Sequence, residues 1–270
     1  MASLTEFVTQ YALHPHVQEI VNEVETKTGK PIDFRSQPGL SAAATTKVAR
    51  QRMSRHILIF DPAQAHRLNH LVPHECAHIF RLWDLPPEER LVPASEPANV
   101  MRAYQKVEPE TAFLPLQLRA QLLCQWVHGL TLLVSNQPID VRIERWLYET
   151  FPSLREEQEK SLVEDAEQII KGLSPEVERL TPPTIFRAAN AMNYAYLQCI
   201  GKLIGRSYSS KFIGQSEIIS LGKELNAILT DDQPSDTAQV NRCAAKLGIQ
   251  DWFIWRDFED MPESYYEGIL

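Results

Sequence analysis

Hydrophobic positions near the start of the chain recur at helical spacing: Phe7, Val8 and Tyr11, then Val17, Ile20, Val21 and Val24, with a break near Pro15. The pattern predicts a helix or a helix pair over about 5–28. Four apolar residues, Ile57 to Phe60, set between Arg55-His56 and Asp61-Pro62, predict a strand in a small sheet of about two or three strands. From Ala63 the spacing turns helical again. Pro73 suits the first turn of a helix, where its missing N–H would go unpaired anyway, so a helix is predicted over about 73–83. Pro86-Pro87 ends it. After a charged, proline-bearing connection, Leu116 to Val134 reads as a strongly apolar helix closed by Ser135-Asn136-Gln137-Pro138, and Ile139 to Phe151 as the next. Beyond Phe151-Pro152 further helices are predicted at about 155–172, 183–204, 215–229 and 234–247. The sequence holds no internal repeat and no low-complexity segment. The expected class is α+β and mainly helical: a small sheet beside the 73–83 helix in a domain over 1–154, with a helical C-terminal region over 155–270 packed on it.

Composition narrows the partners. A net charge of -8 and a pI near 5.5 offer no basic footprint for nucleic acid or an anionic membrane. The four cysteines, at 76, 124, 199 and 243, stand far apart with no CxxC pair, which suits a reducing compartment. The first residues lack the basic, apolar and small-residue pattern of a signal peptide, and no window reaches 18 uninterrupted apolar residues. The expectation is a soluble cytoplasmic protein, with no nucleic acid and no membrane as partner.

The chemistry concentrates at His74-Glu75-Cys76-Ala77-His78. Residues four apart share a helical face, so His74 and His78 can present imidazole nitrogens to one zinc ion. Glu75 is then the general base that takes a proton from water and returns it to the leaving amine. With 8 histidines and 24 glutamates among 270 residues, chance supplies about 0.02 such motifs per chain. The flanking Leu71, Val72, Ile79 and Phe80 give the motif an apolar setting. A purely structural site would need the two histidines but not the glutamate between them.

A catalytic zinc takes a third protein ligand and keeps a fourth position open. All eight histidines lie at or before 128, so a later ligand must be a carboxylate or a cysteine. Asp84 follows the motif, but Arg81 stands where a glycine would let the chain turn. His128 lies in an apolar run, where a histidine is more often a core residue. The strongest candidates are Asp140 and Glu144, four apart on one face beside Ile139, Ile143, Trp146 and Leu147. Two acids so placed repel unless cations intervene. Arg142 and Arg145, or a metal with its histidines, would supply them.

The residues His74, Glu75, His78, Asp140 and Glu144 resemble the pattern of gluzincin zinc peptidases, in the small ImmA/IrrE-like form, over roughly residues 50–150. In that class the HExxH motif is followed by an acid-x-x-x-acid pair on a later helix. The resemblance implies a Zn2+ cofactor, peptide-bond hydrolysis in a peptide or protein substrate, and one acid on the metal with the other bonding a ligand histidine. It departs from the usual pattern in having aspartate first, which leaves both Asp140 and Glu144 open as the metal ligand. The competing reading is a regulatory or sensing protein that keeps the scaffold without the activity.

Smaller signals remain. Cys76 is either a small buried side chain or a thiol near the metal. His70 precedes His74 by four residues, but Pro73 between them argues against one continuous face, so His70 reads as an outer or surface residue. Tyr104, His128 and Arg142 are candidate oxyanion stabilisers. Trp252, Phe253, Trp255 and Phe258, with Tyr265 and Tyr266 beyond, read as packing of the chain's end onto the body.

Overall fold

A computed structural model of the protein describes residues 4–112, 114–232 and 235–262. Those residues form ten α-helices and five strands, an α+β fold that is mainly helical, as the periodicity predicts. The chain divides into two compact units. The first takes the chain up to Val92, Ile143–Ser161 and the chain from Arg256; the second takes Pro93–Arg142 and Leu162–Trp255. The units interleave along the sequence.

The first unit opens with α1 (Leu4–Tyr11) and α2 (Pro15–Thr28), the helix pair expected around Pro15. Pro15 begins α2, and Gly29, at φ +66°, ends it in the left-handed conformation that glycine adopts without a steric cost. Three strands follow: β1 (Ile32–Ser36), β2 (Ala44–Lys47) and β3 (His56–Phe60). The apolar run at 57–60 takes the centre of the sheet, parallel to β1 and antiparallel to β2. All five β3 residues are buried, as a central strand covered on both faces requires. Phe7 stacks on Phe34 with ring centroids 4.1 Å apart, tying α1 to β1.

The next helix, α3 (Leu68–Trp83), carries the HExxH segment. It starts five residues before Pro73, and the proline lies inside it, a correction to the reading that placed Pro73 at the helix start. The deficit is small, because a proline so near the N-terminus removes a single N–H from the hydrogen-bond ladder. What holds the early turn is burial: Leu68, Val72, Cys76 and Ile79 are all wholly excluded from solvent. Each such aliphatic side chain contributes about 1.5–3 kcal/mol, enough to outweigh a lost hydrogen bond.

The helix α5 (Leu116–Thr150) runs uninterrupted through Ser135–Pro138, where the sequence predicts a stop. Val134, Ser135, Gln137, Pro138 and Val141 are buried, so tertiary packing overrides the local breaker signal. Thr131 and Ser135 donate back to the carbonyls of Val127 and Leu132, the kind of bonding that bends a helix and eases a proline into it. The remainder of the chain forms β4 (Leu91–Ala94), α4 (Pro97–Val107), α6 (Arg155–Lys171), α7 (Pro175–Leu180), α8 (Pro183–Leu203), α9 (Ser216–Leu229), α10 (Asp236–Leu247) and β5 (Ile254–Asp257), with β4 and β5 forming a second sheet. The core of the second unit gathers residues of α4, α5, α6, α8, α9 and α10 around Trp252 and Phe253. Trp255 packs against that core, and Phe258 is buried as well, so the terminal aromatics are packing residues; Tyr265 and Tyr266 lie outside the described residues. No described helix is long and apolar enough to cross a membrane.

Candidate metal centre

Because α3 is continuous through Pro73, its 3.6-residue period brings His70, His74 and His78 onto one face, opposite the stripe that packs into the core. Their rings follow one another at centroid separations of 5.8 and 5.0 Å. The last turns of α5 and the first of α6, both within the first unit, supply the groups that meet this face.

Glu144, 1 % exposed, is the hub. Its Oε1 lies 2.7 Å from Nδ1 of His74, and its two oxygens lie 3.0 and 2.9 Å from Nε2 of His70. Gln158 donates its amide to Oε2 at 2.6 Å and to the Glu144 carbonyl at 2.8 Å. A carboxylate buried this deeply is pushed up by desolvation. Here the imidazoles of His70 and His74 facing it outweigh that and hold its pKa well below the usual carboxylate range. Glu144 therefore stays ionised and acts only as an acceptor.

That fixes the tautomer of His74. Facing an acceptor, Nδ1 carries the hydrogen, and Nε2 keeps its lone pair. The Nε2 atom of His78 lies 3.2 Å from this nitrogen. Two imidazole nitrogens thus converge, one of the rings braced from behind by a carboxylate. Separately, His70, His74 and Glu144 each offer a ligand atom within 4.8 Å of the others, and this buried group could hold a metal ion.

The residues singled out in the sequence fare differently. Glu75 is buried one step along α3 from His74. Asp140 lies on α5 one turn before Glu144 and is half-buried. Asp84 ends α3 in an ion pair with Lys27, a role that employs it away from the histidine face. His128 is exposed. Of the oxyanion candidates, Arg142 is engaged with Asp236 at 2.9 Å, and Tyr104 bonds Cys124, with burial first and then that bond pushing its hydroxyl up to about 12. Cys76 is fully buried; burial and then the charges of Glu75 and Glu25 hold its thiol above the ordinary range, which makes it a packing residue and not a reactive one.

Sequence reasoning missed His70 as a buried partner of Glu144, and missed Gln158, Ser161 and Arg67 altogether. Ser161 meets Nδ1 of His70 at 2.7 Å, and Arg67 donates to Ser161 at 2.8 Å. The available signal was position: Gln158 and Ser161 fall on the same helical stripe as the core residues Leu154, Leu162 and Ala166. No family model matches this chain, and neither a curated protein nor a solved structure matches it.

Proposed function

We propose that the protein is a zinc-dependent hydrolase that cleaves a peptide bond in a peptide or protein substrate, with His74 and His78 holding the metal and Glu75 as general base. The observation that carries this reading is the 3.2 Å approach of the two Nε2 atoms with Glu144 behind His74. Nitrogens at that spacing, each about 2.0–2.1 Å from one ion, subtend roughly 100° at it, close to a tetrahedral angle. When bound, zinc supplies Lewis-acid chemistry, acidifying water and polarising a carbonyl.

The chain's own groups supply the rest. His74 and His78 act as neutral donors of lone pairs, and Glu144, occupied by two histidines and a glutamine, serves as the brace of His74. Its partners leave it that role. Glu75 takes the proton of the attacking water and delivers it to the leaving nitrogen, a transfer worth typically 10²–10⁴-fold in rate.

The test is metal analysis of the purified protein together with peptide cleavage by wild type and Glu75→Gln. The expected result is one zinc per chain in both proteins, with cleavage reduced about 10²-fold or more in the variant. Stoichiometric zinc with no cleavage across a broad peptide library would favour a regulatory or sensing scaffold. Absence of zinc from the wild type would remove the metal centre.

A further inference from the structure

We infer that His70 is a positioning residue, which aims the Nε2 atom of His74 by locking the carboxylate of Glu144; the inference rests on the metal-centre reading above. His70 stands one turn before His74 on α3 and is 3 % exposed. Counting donors shows which way its ring works. Arg67 can only donate, so its Nε–H takes a lone pair of the Ser161 hydroxyl at 2.8 Å. The hydroxyl's own hydrogen is then available to Nδ1 of His70, 2.7 Å away. With Nδ1 accepting, neutral His70 carries its hydrogen on Nε2 and donates it to Glu144, 2.9 and 3.0 Å from the two oxygens. Arg67 is itself held in place, with Nη2 on the Ser161 carbonyl at 3.1 Å and Nη1 on Gln64 at 3.2 Å.

The consequence reaches His74. A glutamate has three side-chain torsions, and a single bond to Nδ1 of His74 would leave its carboxylate free to rock about that contact. His70 straddles both oxygens and Gln158 bonds Oε2, so the carboxylate plane is fixed. Through it the ring of His74 is fixed as well, with Nε2 facing His78. Filling space would not require this: an aliphatic side chain would satisfy a role of burial alone. Four polar groups, Arg67, Ser161, His70 and Glu144, instead form one chain of directed bonds that ends on a candidate ligand.

The test uses the full-length protein and three variants. His70→Leu removes both hydrogen-bonding atoms. His70→Gln restores a donor toward Glu144, and Ser161→Ala leaves the His70 donor in place but unanchored. Three measurements are made: zinc affinity by chelator competition, the visible spectrum of the cobalt-loaded protein, and the ring ¹⁵N signals of His74 in the metal-free protein. In His70→Leu, zinc should bind about 10–100-fold more weakly, the cobalt bands should shift, and His74 should lose its single Nδ1–H tautomer. His70→Gln should recover most of each, and Ser161→Ala should fall between wild type and His70→Leu. Wild-type affinity and an unchanged His74 signal in His70→Leu would overturn the inference. If that variant does not fold, the same null result in Ser161→Ala overturns it. Wild type that binds no zinc, yet shows a His74 tautomer that depends on His70, would sink the metal-centre reading and leave the positioning role standing.

Discussion

Between pH 7 and pH 4 the first unit should lose stability through one imidazole, that of His56. This residue opens β3 and is wholly buried. Its Nδ1 accepts the Ala49 N–H at 2.9 Å, and its Nε2 meets the Thr28 hydroxyl at 3.0 Å. The hydrogen of that hydroxyl goes to the Val24 carbonyl at 2.8 Å, so Nε2 is the donor and the ring is neutral with both nitrogens in use. A second proton would have to enter on Nδ1, against the Ala49 N–H. Burial first, and then the charge of Lys30, lower the pKa from 6.5 to about 4. The fold thus favours the neutral ring. Its contribution is complete above 6.5 and is lost as pH falls from there through about 4. At 1.36 kcal/mol per unit the full loss is about 3 kcal/mol, with about 2 kcal/mol gone by pH 5. Urea unfolding of wild type and His56→Leu at pH 7, 6 and 5, followed by circular dichroism, isolates this term. The variant starts lower, because the Ala49 N–H and Thr28 lose a partner, at about 1–3 kcal/mol for a buried group. It lacks the titration, so the gap between the two proteins should narrow by about 2 kcal/mol from pH 7 to pH 5. A gap constant to within about 0.5 kcal/mol would refute the reasoning.

Other predictions address the centre and the backbone. Glu144→Leu strands the donors of His70, His74 and Gln158 in a buried site, and should cost about 3–5 kcal/mol in urea unfolding; a loss under about 1 kcal/mol would contradict the hub role assigned to Glu144. Alkylation of the native protein by iodoacetamide, mapped by mass spectrometry, should mark exposed Cys124 and spare Cys76 and Cys243, both buried, the latter with its thiol raised to about 12 chiefly by burial. Rapid labelling of Cys76 would contradict its burial. Ala12, at φ +49°, occupies the left-handed region between α1 and α2. Ala12→Gly should therefore stabilise the protein by about 0.5–1 kcal/mol, the left-handed penalty of alanine less the entropy cost of glycine; a lowered melting temperature would count against it.

What could be read from the sequence follows the range of the forces involved. Helix and strand positions came through periodicity, since Val17, Ile20, Val21 and Val24 lie on one face and Ile57–Phe60 is an unbroken apolar run, both buried as expected. Among the failures are two prolines, besides α4, which forms in the stretch read as a connection, and the second sheet. Pro73 and Pro138 were read as punctuation, yet each sits inside a helix because neighbours far along the chain bury the turns around it. Local propensity cannot register that burial. The first misreading propagated into the chemistry: with α3 taken to begin at Pro73, His70 had no helical face to share with His74. Once the helix is seen to start at Leu68, the spacing 70, 74, 78 is a row of three imidazoles, and Glu144 has two of them to serve. Gln158 and Ser161 were hidden for a different reason. They are polar residues at core positions of α6, next to Leu162 and Ala166, in a helix whose remaining faces are charged. A hydrophobic pattern discounts such residues as solvated, whereas a buried polar group with no visible partner is a reason to look for one. Glu144 is that partner for Gln158, and His70 for Ser161, so the polar residues in the buried stripe of α6 and the histidine row of α3 are two halves of one network.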